Sequence, residues 1–284
     1  MAESAEYIFF DCDDSLYRNN WATMLKLDAK ERAYCSSKLD VPESKMSSLY
    51  KTHGTTALGL IKEGYLDEAQ VVDFLDEVYE ISLDDIKPDP ALRAMLKGLP
   101  RRRWVFTAAT EQHAQRCLQR IGIEDLFEGV IACSSTDMFQ RAGYVSKHDS
   151  RCFEAAMDIA GVSRHDSHKC MLLDDSASNL KTAKAMGWHT VQVGLYRRDG
   201  SKLNCPAAEF SLESLHELYA TLPGLFRMSP LTAEAGSKAC TVNGTNGSSL
   251  KRARSRSRIL KPLLSTPERQ LRRRISEDAE AFGA

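Results

Sequence analysis

Tyr7-Ile8-Phe9-Phe10-Asp11-Cys12-Asp13-Asp14-Ser15 opens the chain with four aromatic or branched residues that stop abruptly at acids. An apolar run without polar alternation describes a strand buried on both faces, which is the habit of parallel sheets. In a doubly wound sheet ligands gather beyond the carboxyl ends of the strands, so these acids fall where a ligand would sit. Carboxylates at i and i+2 past a strand end can reach one ligand. Three acids in four residues also repel one another unless a cation neutralises them. Oxygen donors favour a hard cation, and Mg2+ suits a site that also holds phosphate. An acidic surface turn would show the same residues.

Downstream of residue 100 the rhythm alternates. Trp104-Val105-Phe106-Thr107, Gly129-Val130-Ile131-Ala132, Cys170-Met171-Leu172-Leu173 and the run from His189 to Val193 read as strands. Between them lie helical stretches from Glu111 to Ile121, around Phe153 to Ala160, and from Ala177 to Met186. Each is followed directly by a glycine, at Gly122, Gly161 and Gly187, the expected stop signal. Strands alternating with helices imply an α/β fold with a doubly wound, Rossmann-like parallel sheet. The stretch from Trp21 to Leu99 differs. Val71, Val72, Leu75, Val78 and Tyr79 recur at helical spacing, and Val41-Pro42-Glu43 and Lys87-Pro88-Asp89-Pro90 interrupt it. It reads as a small helical cap inserted after the first strand. The expected division is a core of residues 1–18 and 100–224, a cap of residues 19–99, and a disordered basic, Ser-rich tail of residues 225–284.

Further chemistry sits at the later strand ends. Leu173-Asp174-Asp175-Ser176 places two acids where a strand gives way to a helix. They can converge on the same ion as the first cluster, although Asp174 alone could be a helix N-cap. Thr107 ends its strand and can offer a hydroxyl to an anion, or spend it on a turn bond. Lys147 precedes a helix and could neutralise phosphate as a point cation. Alone, a lysine there reads first as a solvated surface residue.

A strand ending in Asp-x-Asp, a strand ending in Thr, a Lys, and a strand ending in Asp-Asp, in that order, resemble the haloacid dehalogenase-like hydrolase superfamily over about residues 7–193. Phe9 to Tyr17, His53-Gly54-Thr55-Thr56-Ala57-Leu58-Gly59-Leu60, Ile86 to Pro90, Phe106-Thr107-Ala108-Ala109 with His113-Ala114, and Asp174-Asp175-Ser176 with Asn179 are similar to its pyrimidine 5′-nucleotidase branch. That branch removes phosphate from pyrimidine nucleoside monophosphates, and some relatives act on pyridoxal phosphate or other small phosphomonoesters. The resemblance implies that Asp11 attacks phosphorus to form an aspartyl-phosphate. Asp13 then protonates the leaving alkoxide and later deprotonates water. It also implies a Mg2+ cofactor held by Asp11, the Asp13 carbonyl and Asp175, with Asp174 acting through water. Thr107 and Lys147 share the phosphoryl charge with the metal. True dehalogenases of the superfamily lack a carboxylate two residues after the nucleophile, so Asp13 favours phosphate chemistry.

Four positions depart from the family pattern. Asp14 and Ser15 stand for Asn and Thr, Ala108 for the Asn after the motif threonine, and His148 for a Pro. The resemblance therefore implies a slowed enzyme rather than a dead one. His113 matches a family position, and a locally bonded histidine at a helix start is the expectation there. Tyr50, His53 and Thr56 are candidates to face the substrate, with core and surface roles equally open.

Charge is split along the chain. Residues 225–284 hold twelve Lys/Arg against five Asp/Glu, which leaves an acidic body behind a net charge of −1. An acidic body argues against a nucleic-acid-binding core. The serine-containing runs Lys251 to Arg258 and Arg272 to Ser276 could serve kinases, import receptors or a weak nucleic-acid contact, or be merely solvated. Eight scattered cysteines without a C-x-x-C pair fit neither a zinc framework nor a disulfide scaffold. With no signal-like start and no long apolar run, the expectation is a cytoplasmic protein without membrane contact, with nuclear entry left open by the tail. The expected partner is a small phosphomonoester, UMP or CMP first and pyridoxal phosphate next. A phosphatase-like binding or regulatory module is the alternative of another class.

Overall fold

The computed structural model describes residues 2–227 apart from residue 69. Strands β1 (Tyr7–Phe10), β2 (Arg102–Thr107), β3 (Gly129–Ala132), β4 (Cys170–Asp174), β5 (His189–Val193) and β6 (Phe210–Leu212) form one sheet in the order β3-β2-β1-β4-β5-β6. Every pairing is parallel. Phe10 aligns with Val105 on one side and Leu173 on the other, so the first acidic turn leaves the sheet between Thr107 and Asp174. Chain order reverses direction across the sheet at β1, the switch point where doubly wound folds open a ligand crevice.

Period-two alternation sorts the strand residues onto two cores. Ile8, Phe10, Val105, Met171 and Leu173 face one layer with Ala114, Cys117 and Leu118 of α6 (Glu111–Ile121). Phe9, Phe106, Ile131 and Leu172 face the other. There Phe9 and Phe153 pack on Trp188 at ring separations of 4.6 and 5.1 Å. The first strand is thus apolar throughout because both its faces are covered.

Five helices separate β1 from β2: α1 (Ala22–Lys38), α2 (Glu43–His53), α3 (Thr56–Lys62), α4 (Val71–Val78) and α5 (Pro90–Lys97). The first four pack on one another, with Tyr34 of α1 edge-on to Phe74 of α4 at 5.1 Å. Close approach of α2 and α3 needs Gly59, where a Cβ would come within 3.0 Å of Leu49 backbone. Helix α5 starts at an Asp89 cap that accepts the Leu92 N–H, with Pro90 in its first turn. It bonds outward to core segments, through Arg93 to Asp125 and through the Leu96 carbonyl to Arg103. Between β3 and β4 lie α7 (Thr136–Ala142) and α8 (Ser150–Ile159), and between β4 and β5 lies α9 (Ala177–Ala185). After β6 the short α10 (Leu218–Thr221) leads to a turn in which Leu225 is fully buried.

Three elements escape the sequence reading, the four-residue α10 among them. Strand β6 is three residues long and half-exposed, too short to show a pattern, and α7 is a two-turn helix with one buried residue. The seven cysteines among the described residues are free thiols. The basic runs and the expectations attached to them lie outside the described residues. Among the described residues no helix is long and apolar enough to cross a membrane.

Candidate active site

The turn after β1 carries three carboxylates at the mouth of the crevice. Asp11 keeps the sheet register through its N–H to the Leu173 carbonyl at 2.9 Å. Asp14 adopts φ 56°, a left-handed conformation that Asp and Asn tolerate better than other side chains. This turn requirement fits the Asp that replaces the family's Asn. Burial and the neighbouring Asp13 raise its carboxyl to about 7, while Arg18 and Arg198 oppose the rise. The added negative charge beside the site is therefore partly muted. Ser15 donates its hydroxyl to Asp11 Oδ2 at 3.1 Å, preserving the contact a threonine hydroxyl could make.

Lys147 holds the centre together. It is 1% exposed, and its Nζ donates to Asp11 Oδ1 at 2.6 Å, Asp174 Oδ2 at 2.7 Å and the Phe106 carbonyl at 3.0 Å. The solvated-lysine alternative is thereby corrected: the short segment between α7 and α8 tucks the ammonium beneath the strand ends. Burial opposes its charge, yet Asp11 and Asp174 hold its pKa well above the lysine range. Asp11 responds the other way. Burial and Asp174 push it up to about 7 against the pull of Lys147.

Asp174 and Asp175 differ in duty. Asp174 is fully buried and saturated: besides Lys147 it accepts the Ser176 N–H at 2.8 Å and the Asn179 amide at 3.0 Å. Asp175 lines the cavity, and burial with Asp11 and Asp174 lifts its carboxyl well above the usual range. Side-chain oxygens of Asp11, Asp174 and Asp175 lie within 4.8 Å of one another. A trio of hard oxygen donors carrying more negative charge than one lysine neutralises fits a divalent cation.

Thr107 makes the turn bond open to it in the sequence, its hydroxyl oxygen accepting the Ala109 N–H at 3.0 Å, and it also lines the cavity.

The expectation for His113 is corrected. Its backbone N–H bonds locally, to the Thr110 cap, but the ring reaches Asp13 Oδ1 with Nε2 at 2.8 Å, a partner one hundred residues away. Tyr17 also donates to Asp13 Oδ1. Burial alone would raise Asp13, but His113 and Tyr17 overcome it and lower the carboxyl. Reciprocally, burial disfavours the imidazolium while Asp13 raises His113 to about 10. One proton thus belongs to the pair and rests on the histidine.

Asp11, Asp13, Asp14, Thr107, Lys147 and Asp175 border a cavity of about 500 Å³ between the strand ends and α1–α4. Tyr50 and Thr56 line it, as two of the three candidate residues should. His53 is not among the lining residues; its carbonyl accepts the Ser146 hydroxyl at 2.7 Å. Gly54 (φ +85°) lets the chain cross there, since a Cβ would lie 2.5 Å from Ser146 Oγ. Residues the sequence reading did not single out are Glu31, Trp21 and Arg197. Glu31 accepts the Thr56 hydroxyl at 2.7 Å, and burial raises its carboxyl to about 7 against that bond.

A family model described as haloacid dehalogenase-like hydrolase matches residues 6–187. Phosphate metabolism protein 8 of Saccharomyces cerevisiae is 30% identical over 191 residues, which is 63% of this chain and 58% of that protein. Among solved structures, CbbY from Rhodobacter sphaeroides in complex with phosphate superposes with a TM-score of 0.53 at 15% identity. The match covers 75% of this chain and 96% of CbbY, a likeness of fold. The L-2-haloacid dehalogenase from Xanthobacter autotrophicus gives 0.47 at 17% identity over 78% of this chain and 99% of its own.

Proposed function

The chain belongs to the haloacid dehalogenase-like hydrolase family, and we propose that within it the protein is a phosphomonoesterase acting through an aspartyl-phosphate on Asp11. The observation that carries the reading is the buried Lys147 bridging Asp11 and Asp174 beside Thr107, with Asp13 two residues beyond. Asp11, Asp175 and the carbonyl side of the Asp13 turn would hold Mg2+, with Asp174 behind them. When bound, the ion supplies charge neutralisation for nucleophile and phosphoryl oxygens.

Lys147 fixes the Asp11 carboxylate and adds positive charge where the phosphoryl group arrives. Ser15 holds the second Asp11 oxygen, leaving one orientation for attack. Asp13 gives a proton to the departing alkoxide and takes one from the water that hydrolyses the acyl phosphate. His113 is the reservoir for that proton, since an approaching phosphate dianion raises Asp13 and draws the shared proton onto it.

For the leaving group we favour a pyrimidine nucleoside. Trp21, Tyr50 and Tyr79 line the cavity with rings on which a flat base would stack, and the Glu31–Thr56 pair would supply a polar edge. Pyridoxal phosphate, also flat, is the second substrate to assay. The testing experiment measures phosphate release from UMP, CMP, AMP and pyridoxal phosphate, with Mg2+ and with EDTA, by wild type and Asp11→Asn. Metal-dependent release that Asp11→Asn abolishes supports the reading. Release that survives in Asp11→Asn overturns it, and the preferred substrate decides the leaving group.

A further inference from the structure

Cys12 lies between the two acids of the first turn, yet its side chain belongs to the opposite side of the strand end. It is fully buried and continues the face of Ile8 and Phe10, in the same core layer as Cys117 of α6. Cys12 Sγ, an Asp13 carboxylate oxygen and Cys117 Sγ lie within 4.8 Å of one another. His113 stands one helical turn before Cys117, and its Nε2 is 3.5 Å from Cys117 Sγ and 2.8 Å from Asp13 Oδ1. In a tetrahedral zinc site, bonds of about 2.0–2.3 Å set donor atoms roughly 3.3–3.8 Å apart. Three of the donors already lie within 4.8 Å of one another, and His113, in contact with Asp13 and Cys117 but outside that set, must turn its ring toward Cys12 to complete the tetrahedron.

We infer that Cys12, Asp13, His113 and Cys117 form a second metal site, selective for Zn2+, whose occupation switches the enzyme off. Donor chemistry separates the two sites. Asp11, Asp174 and Asp175 present only carboxylate oxygen, which suits Mg2+. Two thiols, an imidazole and one carboxylate suit a borderline-soft ion, and Mg2+ gains nothing from them. Binding releases the two thiol protons and the His113 proton to solvent, so the trapped ion meets two thiolates, a neutral imidazole and a carboxylate. Asp13 borders the cavity while Cys12, His113 and Cys117 lie behind it, so the ion enters from the substrate side past Asp13. Once ligated, neither Asp13 nor His113 can exchange a proton with a leaving group. The inhibition rests on the proposed role of Asp13; the binding site does not.

The test uses the full chain, kept reduced with a phosphine, in excess Mg2+. Co2+ alone is the spectroscopic probe. One equivalent is expected to give the near-ultraviolet thiolate-to-cobalt band and the intense visible bands of a tetrahedral site, and Zn2+ should bleach both. Cys117→Ala and Cys117→Ser should each cut the thiolate band to half or less, since only the Cys12 thiolate remains, while retaining Mg2+-dependent phosphate release. Half-inhibition by Zn2+ should need at least tenfold more metal in these variants than in wild type. Absence of the band in wild type, or its persistence at undiminished intensity in both variants, overturns the site. If the band behaves as stated but Zn2+ inhibits wild type and variants alike, the inhibitory role is overturned. If a variant loses its fold by circular dichroism, the other decides.

Discussion

Replacing Lys147 by Met keeps the length of the side chain and removes its charge. The ammonium is 1% exposed and makes three hydrogen bonds, two of them to carboxylates that are themselves buried. Breaking a buried ion pair from one side costs about 3–5 kcal/mol, because a charge is left uncompensated. Asp174 retains the Asn179 amide and the Ser176 N–H, and Asp11 retains the Ser15 hydroxyl, which places the loss near the lower end, about 3 kcal/mol. For a protein of this size each kcal/mol moves Tm by roughly 2–4 °C, so the drop should be about 6–12 °C. The assay is thermal unfolding followed by circular dichroism at pH 8, first with EDTA and then with excess Mg2+. Added cation should narrow the gap between variant and wild type, since it neutralises the same carboxylates. A Tm within about 2 °C of wild type in EDTA, or a gap that Mg2+ leaves unchanged, would refute the picture of one lysine restraining two acids.

His113→Gln removes the proton reservoir while keeping a hydrogen bond to Asp13. It should lower kcat by roughly 10- to 100-fold with little change in KM, and flatten the alkaline limb that His113, raised to about 10, sets. Metal-free Asp11, raised from 3.8 to about 7, favours its protonated form in the folded state. That preference stabilises the metal-free protein fully below the unfolded value and is lost as pH rises through about 7. Mg2+ needs the ionised form, so calorimetric titration should show affinity falling at least about tenfold from pH 8 to pH 6. Glu31→Leu leaves the Thr56 hydroxyl unpaired inside the cap and removes the polar edge offered to the leaving group. Its KM should rise for a nucleotide and change little for a small aryl phosphate, as read from initial rates on both.

The sheet was legible because each of its central strands is a short apolar run closed by a chemically distinctive residue. Phe10-Asp11, Phe106-Thr107 and Leu173-Asp174 mark their own ends, and parallel pairing then brings those ends together. Lys147 was legible only through its order among the other motifs. Nothing local announces that the segment before α8 dives under the strands, and a lysine in isolation reads as solvated. The ring of His113 was misassigned for a related reason: its partner lies one hundred residues away, and only the placing of α6 beside the turn after β1 brings them together. Division of labour between Asp174 and Asp175 was implied by the family resemblance and not by the adjacent identical letters themselves. It follows from strand alternation, which turns Asp174 inward to Lys147 and Asn179 and leaves Asp175 at the cavity. Strand β6 adds three residues at an edge, where neither length nor alternation gives a signal.

Nucleophilic attack by Asp11 is the central claim, and trapping the intermediate tests it most directly. Wild-type protein turning over p-nitrophenyl phosphate with Mg2+ would be acid-quenched, reduced with borohydride and sequenced by mass spectrometry across residues 7–18. The account predicts homoserine at position 11, from reduction of the acyl phosphate, and none in Asp11→Asn. Steady turnover with position 11 unmodified, or homoserine at Asp13 instead, would contradict it.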